Sequence, residues 1–188
     1  VVFVCSMGDL FHEDVPFEFV DNVMDVISKT PQHTYQLLTK RAERMAEYFS
    51  SRLIPQNVWL GVTVEDTLTK YRIDFLRNLS AQVKFLSCEP LLCDLGELDL
   101  EGVDWIIVGG ESGPIARPMK EEWVLNIKRQ AEQKSIPFFF KQWGTWSKEG
   151  VKGNKKKNGK LLQGEVIQQM PKVVHENFRN KDQTKFWE

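Results

Sequence analysis

Cysteine is scarce in this 188-residue sequence, and the few cysteines it has are widely spaced. Cys5, Cys88 and Cys93 are odd in number and lie in or near apolar runs, which excludes a disulfide framework and is typical of reduced thiols in a cytosolic protein. Their spacing matches no compact metal-binding motif. We therefore predict a cytoplasmic protein without a metal site of its own.

Long hydrophobic runs are also absent. No apolar stretch approaches the roughly 18 residues that a membrane-spanning helix needs, so we expect no membrane partner. The opening run, residues 1–5, is too short for the apolar part of a signal peptide. Because the chain begins with Val1 inside this run, we expect that an N-terminal piece, and with it one strand, is missing.

Most of the chain has no excess of positive charge. Residues 1–147 carry 15 basic and 21 acidic residues, so by net charge this part of the protein taken as a whole is not a nucleic-acid footprint. Residues 148–160, by contrast, hold six lysines against Glu149, together with Gly and Asn. This composition predicts an exposed loop. A solvated loop is its more frequent role, and binding of nucleic acid is the alternative.

Six short apolar runs are the main feature that the sequence does contain. Each has the length of a strand and is apolar nearly throughout, as parallel strands buried on both faces must be. Helical patterns fill most of the gaps, so strands begin about every 20 to 35 residues, the period of a strand with its crossover helix. The runs are residues 1–5, 34–38, 58–62, 83–88, 105–108 and 137–140.

This alternation predicts an α/β fold with a parallel (β/α) barrel. An open doubly wound sheet is the alternative, but polar residues follow every strand here, which favours a TIM-like barrel that is partial because one strand is missing. We expect three segments: a barrel core over residues 1–146, an exposed lysine-rich loop over 147–160, and a tail over 161–188 that packs on the barrel. In the first helix we expect Asp14 as the cap and Phe19, Val23, Val26 and Ile27 as the buried stripe.

Polar residues just past each strand should share one mouth, because the carboxyl ends of parallel strands lie at the same end of a barrel. We predict a small-molecule or nucleotide ligand there. The candidate catalytic residues are Lys40, Glu65, Glu89, Glu111 and Lys141. The candidate substrate- or cofactor-binding residues are Asp9, His12, Ser87, Gly109, Gly110, Ser112 and Gln142.

The alternation of side chains between the two faces of each strand singles out three of these residues. Glu65, Glu89 and Glu111 each follow small residues on the same strand face, which leaves room for a ligand beneath them. The glycines at 109, 110 and 113 permit positive φ and could bring backbone N–H groups to an anion, and a tight turn is the alternative. His12 is more typical of a loop or capping residue than of a catalytic base.

Six motifs in this order resemble an uncharacterised protein family found in phages and bacterial genomes. The resemblance covers about residues 1–146 and leaves out the lysine-rich stretch. The motifs are residues 6–12 (SMGDLFH), 36–41 (QLLTKR), 59–65 (WLGVTVE), 85–91 (FLSCEPL), 109–114 (GGESGP) and 138–144 (FFFKQWG).

Members of that family have a further N-terminal segment with three closely spaced cysteines, similar to the iron–sulfur motif of radical S-adenosylmethionine enzymes. The resemblance therefore implies a radical enzyme in which a longer form binds an iron–sulfur cluster and S-adenosylmethionine. This chain by itself supports no cofactor, because its three cysteines are scattered over 89 positions. On this hypothesis the glutamates would bind ribose or amino groups, and Lys40 and Lys141 would hold anionic groups.

Two other hypotheses remain open. One is a barrel hydrolase in which Glu89 and Glu111 act as acid and base, as paired carboxylates do in glycosidases. The other is a nucleic-acid-binding accessory protein that uses the lysine-rich loop.

Overall fold

The computed structural model describes residues 1–172, which form a mixed α/β protein around one six-stranded parallel sheet. The strands lie side by side in chain order and curl into a half-barrel. Their bounds are β1 Val2–Val4, β2 Tyr35–Thr39, β3 Val58–Thr63, β4 Val83–Cys88, β5 Trp105–Gly109 and β6 Phe138–Gln142. The prediction that the six apolar runs are adjacent parallel strands is confirmed.

Helices follow β1, β2, β3 and β5 and pack on the convex side of the sheet, whereas the connection from β4 to β5 has no helix. They are α1 Phe17–Ser28, α2 Ala42–Phe49, α3 Arg72–Arg77 and α4 Glu121–Gln133, with a 3-10 turn at Thr67–Thr69. Beyond the sheet lie a short helix, α5 Lys155–Asn158, and a small antiparallel hairpin of β7 Leu161–Leu162 and β8 Glu165–Val166. Each helix of the described part of the chain is too short or too polar to cross a membrane.

Both faces of the sheet are buried, which is why the strands lack alternation. On the convex face, Leu60, Leu86 and Ile106 belong to a large core shared with the helices. On the concave face, Trp59, Phe85, Trp105 and Val83 form a second, mainly aromatic core. This aromatic layer fills the lower half of the half-barrel.

The prediction for the first helix is wrong in two respects. Asp14 does not cap α1, whose N-cap is Pro16 without a side-chain hydrogen bond. Phe19 and Val26 are exposed, whereas Ile27 is buried and Val23 partly buried, as predicted. Val20, Met24 and Ile27 recur at four and three residues and form the centre of the buried face, so Phe19 and Val26 fall at its flanks.

The half-barrel does not close into a TIM barrel, because β1 and β6 lie at opposite edges of the sheet. The chain after the hairpin covers the β6 edge: Phe140 N donates to Ile167 O at 2.7 Å, and Gln169 N donates to Phe138 O at 3.1 Å. The Trp105 indole N–H also donates to Gln169 O at 2.9 Å. The rest of the predicted tail, residues 173–188, lies outside the described residues.

Candidate functional site: a ring of charges at the mouth of the half-barrel

Charged side chains from all six strand ends meet at the C-terminal end of the sheet, where parallel barrels place their active sites. They form hydrogen-bonded pairs around the mouth, and we refer to the set as the mouth ring. The mouth ring consists of Asp9, Lys40, Arg41, Glu65, Arg72, Glu89, Glu111, Arg117 and Lys141.

Asp9 joins the loop after β1 to the end of β2. Its carboxylate accepts hydrogen bonds from the hydroxyl of Thr39 at 2.7 Å, from Lys40 N at 3.0 Å and from the Arg41 guanidinium at 3.2 Å. With these partners Asp9 fixes the direction in which Lys40 leaves the strand. The structure does not bring His12 into the mouth ring, because its Nδ1 accepts a hydrogen bond from Asp14 N in a local turn.

Glu65 is the most enclosed carboxylate of the mouth ring. One oxygen accepts a hydrogen bond from Lys40 Nζ at 2.6 Å and the other from Arg72 Nη1 at 2.8 Å. The side chains of Glu65 and Arg72 are each only 12% exposed, whereas Lys40 reaches toward solvent. Glu65 therefore positions Lys40 through a nearly buried ion pair with Arg72.

Glu89 is held by two consecutive residues of β6. Its carboxylate accepts hydrogen bonds from Lys141 Nζ at 2.8 Å and from Gln142 Nε2 at 2.7 Å. Consecutive strand residues normally point to opposite faces, but the β5–β6 register shifts between Val108 and Gly109, and such irregularities re-aim side chains. The Gln142 Oε1 is buried and accepts no hydrogen bond from the described protein atoms.

Glu111 pairs with Arg117, which lies six residues further along the same loop. The guanidinium donates to both carboxylate oxygens, at 2.8 and 2.9 Å, and Arg117 N also donates, at 2.8 Å. These side-chain hydrogen bonds, despite partial burial, lower the pKa of Glu111 from 4.5 to about 2, and Lys40 adds an electrostatic contribution in the same direction.

The glycines of the loop after β5 serve close packing and do not present free N–H groups to an anion. A Cβ on Gly110 would lie 1.9 Å from Trp143 O, and one on Gly109 would lie 3.0 Å from the Glu89 carboxyl carbon. The Gly110 N–H donates to Gln142 O and the Gly113 N–H to the hydroxyl of Thr145. The structure thus favours the tight-turn alternative for this segment.

The two predicted serines have different positions. Ser87 is buried on β4, in register with Thr63 of β3 and below the mouth ring. Ser112 is exposed in the loop after β5.

Three arginines of the mouth ring were absent from the predicted site. Arg41 directly follows a strand, so its position carried the same signal as Lys40. Arg117 lies at the far end of the loop that holds Glu111. Arg72 lies on α3, seven residues after Glu65, and no pattern in the sequence connects it to the mouth.

Apart from Arg72, which is as enclosed as Glu65, the mouth ring has its carboxylates inside and its cations outside. The side chains of Asp9, Glu65, Glu89 and Glu111 are 12–24% exposed, whereas those of Lys40, Arg41, Arg117 and Lys141 are 38–59% exposed. The ring contains five cations and four carboxylates, counting Arg72. A molecule that approaches the mouth therefore meets ammonium and guanidinium groups first.

The cysteines of this chain do not fit an iron–sulfur cluster. Burial raises the pKa of the Cys88 thiol to about 12, and the Glu65 charge acts in the same direction, so the thiolate ligand is strongly disfavoured there. Cys5 is exposed in the loop after β1, and Cys93 is partly buried in the connection after β4. Within residues 1–172 no three His, Cys, Asp or Glu side chains cluster so as to hold a metal ion.

A cavity of about 540 Å³ lies at the opposite end of the strands, beside Val83, Asp104 and Ile136. In parallel barrels the amino ends of the strands serve stability and the carboxyl ends carry the chemistry. For this reason the mouth ring, and not this cavity, is the candidate functional site.

The fold and the site together define a parallel α/β half-barrel protein with a charged mouth at the carboxyl ends of its strands. The chain belongs to a family described as protein of unknown function (DUF5131), whose model matches residues 1–171. The prediction of an uncharacterised family is thereby confirmed. Neither the curated proteins nor the solved structures include a significant match.

Proposed function

We propose that the half-barrel is the ligand-binding core of an enzyme that acts on an anionic small molecule of the nucleotide class. The observation that carries this proposal is the layering of the mouth ring, with carboxylates inside and cations outside. Lys40 and Lys141 each use one of three N–H donors on a glutamate, which leaves donors for a phosphate or carboxylate.

A titration with adenosine monophosphate, adenosine and pyrophosphate tests this proposal. We expect the two anions to bind and adenosine to bind more weakly. Replacing Lys40→Gln or Lys141→Gln should weaken anion binding at least about tenfold, since a hydrogen bond to a charged group contributes roughly 1.5–3 kcal/mol. Lys134→Gln is the matched control, because Lys134 lies beside the cavity at the other end of the strands.

Unchanged anion affinity in both mouth variants, or no binding of either anion, would overturn the proposal. An equal loss in Lys134→Gln would also do so, because it would show that net charge and not the mouth determines the affinity.

As the reaction class we propose a radical S-adenosylmethionine-like enzyme. The support is the resemblance of the six motifs together with the open parallel half-barrel. Because the cysteines of this chain do not fit the cluster, the proposal assigns only the ligand-binding half of such an enzyme to these residues. The test is anaerobic iron–sulfur reconstitution of the natural full-length protein. Absence of both bound iron and S-adenosylmethionine cleavage would refute it.

The paired-glutamate hydrolase receives less support. A glycosidase acid needs a raised pKa, whereas the hydrogen bonds from Arg117 lower the pKa of Glu111 to about 2. The carboxylate of Glu89 is also occupied, by Lys141 and Gln142.

A further inference from the structure

The lysine-rich segment, residues 148–160, lies beside the mouth ring. Lys152 Nζ donates to Pro114 O at 2.8 Å, and Gly153 N donates to Thr145 O at 2.8 Å. The Asn158 amide donates to the carbonyls of Gly144 and Thr145 at 3.0 and 2.9 Å. These contacts dock the segment on the two loops that follow β5 and β6, at the carboxyl end of the sheet.

This docking places a concentration of basic side chains beside the mouth. The side chains of Lys148, Lys152, Lys156 and Lys157 are exposed, and Glu149 is the one acidic residue of the segment. The Trp146 indole N–H donates to Ala116 O at 2.6 Å, next to Arg117 of the mouth ring. Because residues 1–147 carry more acidic than basic residues, this concentration of cations is local.

A groove of about 440 Å³ runs along the segment. Its lining combines Lys148, Lys152 and Lys157, against the one carboxylate of Glu149, with Val151 and Leu161. This volume is in the range of about 300–1,000 Å³ that small-molecule sites occupy. Cations beside apolar side chains suit a ligand that carries both a phosphate group and an apolar ring.

Three exposed apolar side chains project from the loops around the mouth. Met7, Leu68 and Ile115, in the loops after β1, β3 and β5, are 98%, 82% and 93% exposed. Unpaired bases expose flat apolar faces that aliphatic side chains can cover by van der Waals contact, whereas a duplex hides its bases in the stack. The apolar tips and the lysines thus favour single-stranded nucleic acid over a duplex.

We infer that the lysine-rich segment and the mouth loops bind single-stranded nucleic acid and deliver a nucleotide of the strand to the mouth ring. The inference rests on the proposed function and specifies its substrate class. The phosphates would lie along Lys148, Lys152 and Lys157, with Arg117 at the junction to the mouth. Nearby bases would contact Ile115 and the other apolar tips.

Fluorescence anisotropy of a labelled oligothymidylate, compared with the same strand annealed to its complement, tests the inference. We expect the single strand to bind more tightly, with a logarithm of affinity that falls linearly with the logarithm of salt concentration. Each lysine–phosphate contact removed should reduce this slope by about 0.7. Lys148→Gln combined with Lys157→Gln should therefore reduce it by about 1.4.

The matched control is Lys29→Gln combined with Lys134→Gln, which removes the same charge at positions after α1 and α4, away from the mouth, and should leave the slope unchanged. Equal slopes in the two double variants, tighter duplex binding, or no strand binding would each overturn the inference. If the protein binds free adenosine monophosphate but not the oligonucleotide, this inference is overturned and the proposed function stands.

Discussion

At the residue scale, the carboxylates of the mouth ring differ in how much their ion pairs contribute to the stability of the fold. Glu89 and Glu111 pair with cations that are about half exposed, and such pairs contribute roughly 0–1 kcal/mol to stability. Glu65 pairs with Arg72, and both side chains are largely enclosed. The three glutamates that look equivalent in the sequence therefore divide into one with a structural role and two that are less needed for folding.

This difference predicts unequal effects of the same substitution. Glu65→Gln should lower the free energy of unfolding by roughly 3 kcal/mol, because it leaves the Arg72 charge enclosed without a counter-charge. Glu111→Gln should lower it by at most about 1 kcal/mol, because Arg117 can turn to solvent. Urea denaturation of the two variants measures both values. Equal losses of unfolding free energy in the two variants would contradict this division of the glutamates.

A pH dependence follows from Glu111. Its pKa is about 2 in the folded protein and 4.5 ordinarily, so the stabilisation is fully present above pH 4.5 and is lost as the pH falls toward 2. Between pH 5 and pH 3, the free energy of unfolding should thus fall more steeply for the wild type than for Glu111→Gln. Arg117→Gln should flatten the dependence similarly. Parallel slopes in all three proteins would show that the pair does not lower this pKa.

At the scale of the elements, close approaches between strand ends shape the site. Gly61 leaves room for the Phe85 ring, since a Cβ there would lie 2.3 Å from the ring. Gly110 and Gly144 let the loops after β5 and β6 cross at van der Waals distance. The irregular register beside them turns both Lys141 and Gln142 toward Glu89. The β5–β6 end is therefore the most constrained part of the mouth.

Gly110→Ala tests this constraint. The new methyl group would overlap Trp143 O, which is backbone and cannot rotate away, so we expect a loss of about 1–3 kcal/mol in the free energy of unfolding. Gly8→Ala is the control, because a Cβ on Gly8 meets open space in the loop after β1. Thermal melts of the two variants measure the difference, and a Gly110→Ala protein as stable as the wild type would refute the packing role.

At the scale of the whole molecule, the half-barrel has two unlike edges. The β6 edge is covered by residues 167–169, whereas β1 is an outer strand whose Val2 and Phe3 are about half exposed. Between these edges the lower half of the concave face is filled by the aromatic core. The mouth is consequently a shallow, charged platform above a packed floor, which suits a ligand held by its polar groups.

The sequence by itself determined the parallel strands, their order and the end of the sheet at which the charges gather. These follow from local properties: apolar runs of strand length, helical spacing between them, and charged residues directly after each run. Lys40, Glu65, Glu89, Glu111 and Lys141 were predictable for this reason. How far the curled sheet closes was not, because the apolar pattern is the same in an open half-barrel and in a closed barrel.

Only the tertiary structure decided which charges pair. Arg72 reaches Glu65 from a helix, and Arg117 folds back on Glu111 across a loop. Neither pair therefore follows from a regular spacing in the sequence. The layering of carboxylates below cations likewise depends on side-chain reach: short Asp and Glu side chains stay near the strand ends, while long Lys and Arg side chains extend to solvent. The docking of the lysine-rich segment beside the mouth is tertiary as well, since it depends on contacts with carbonyls of two separate loops.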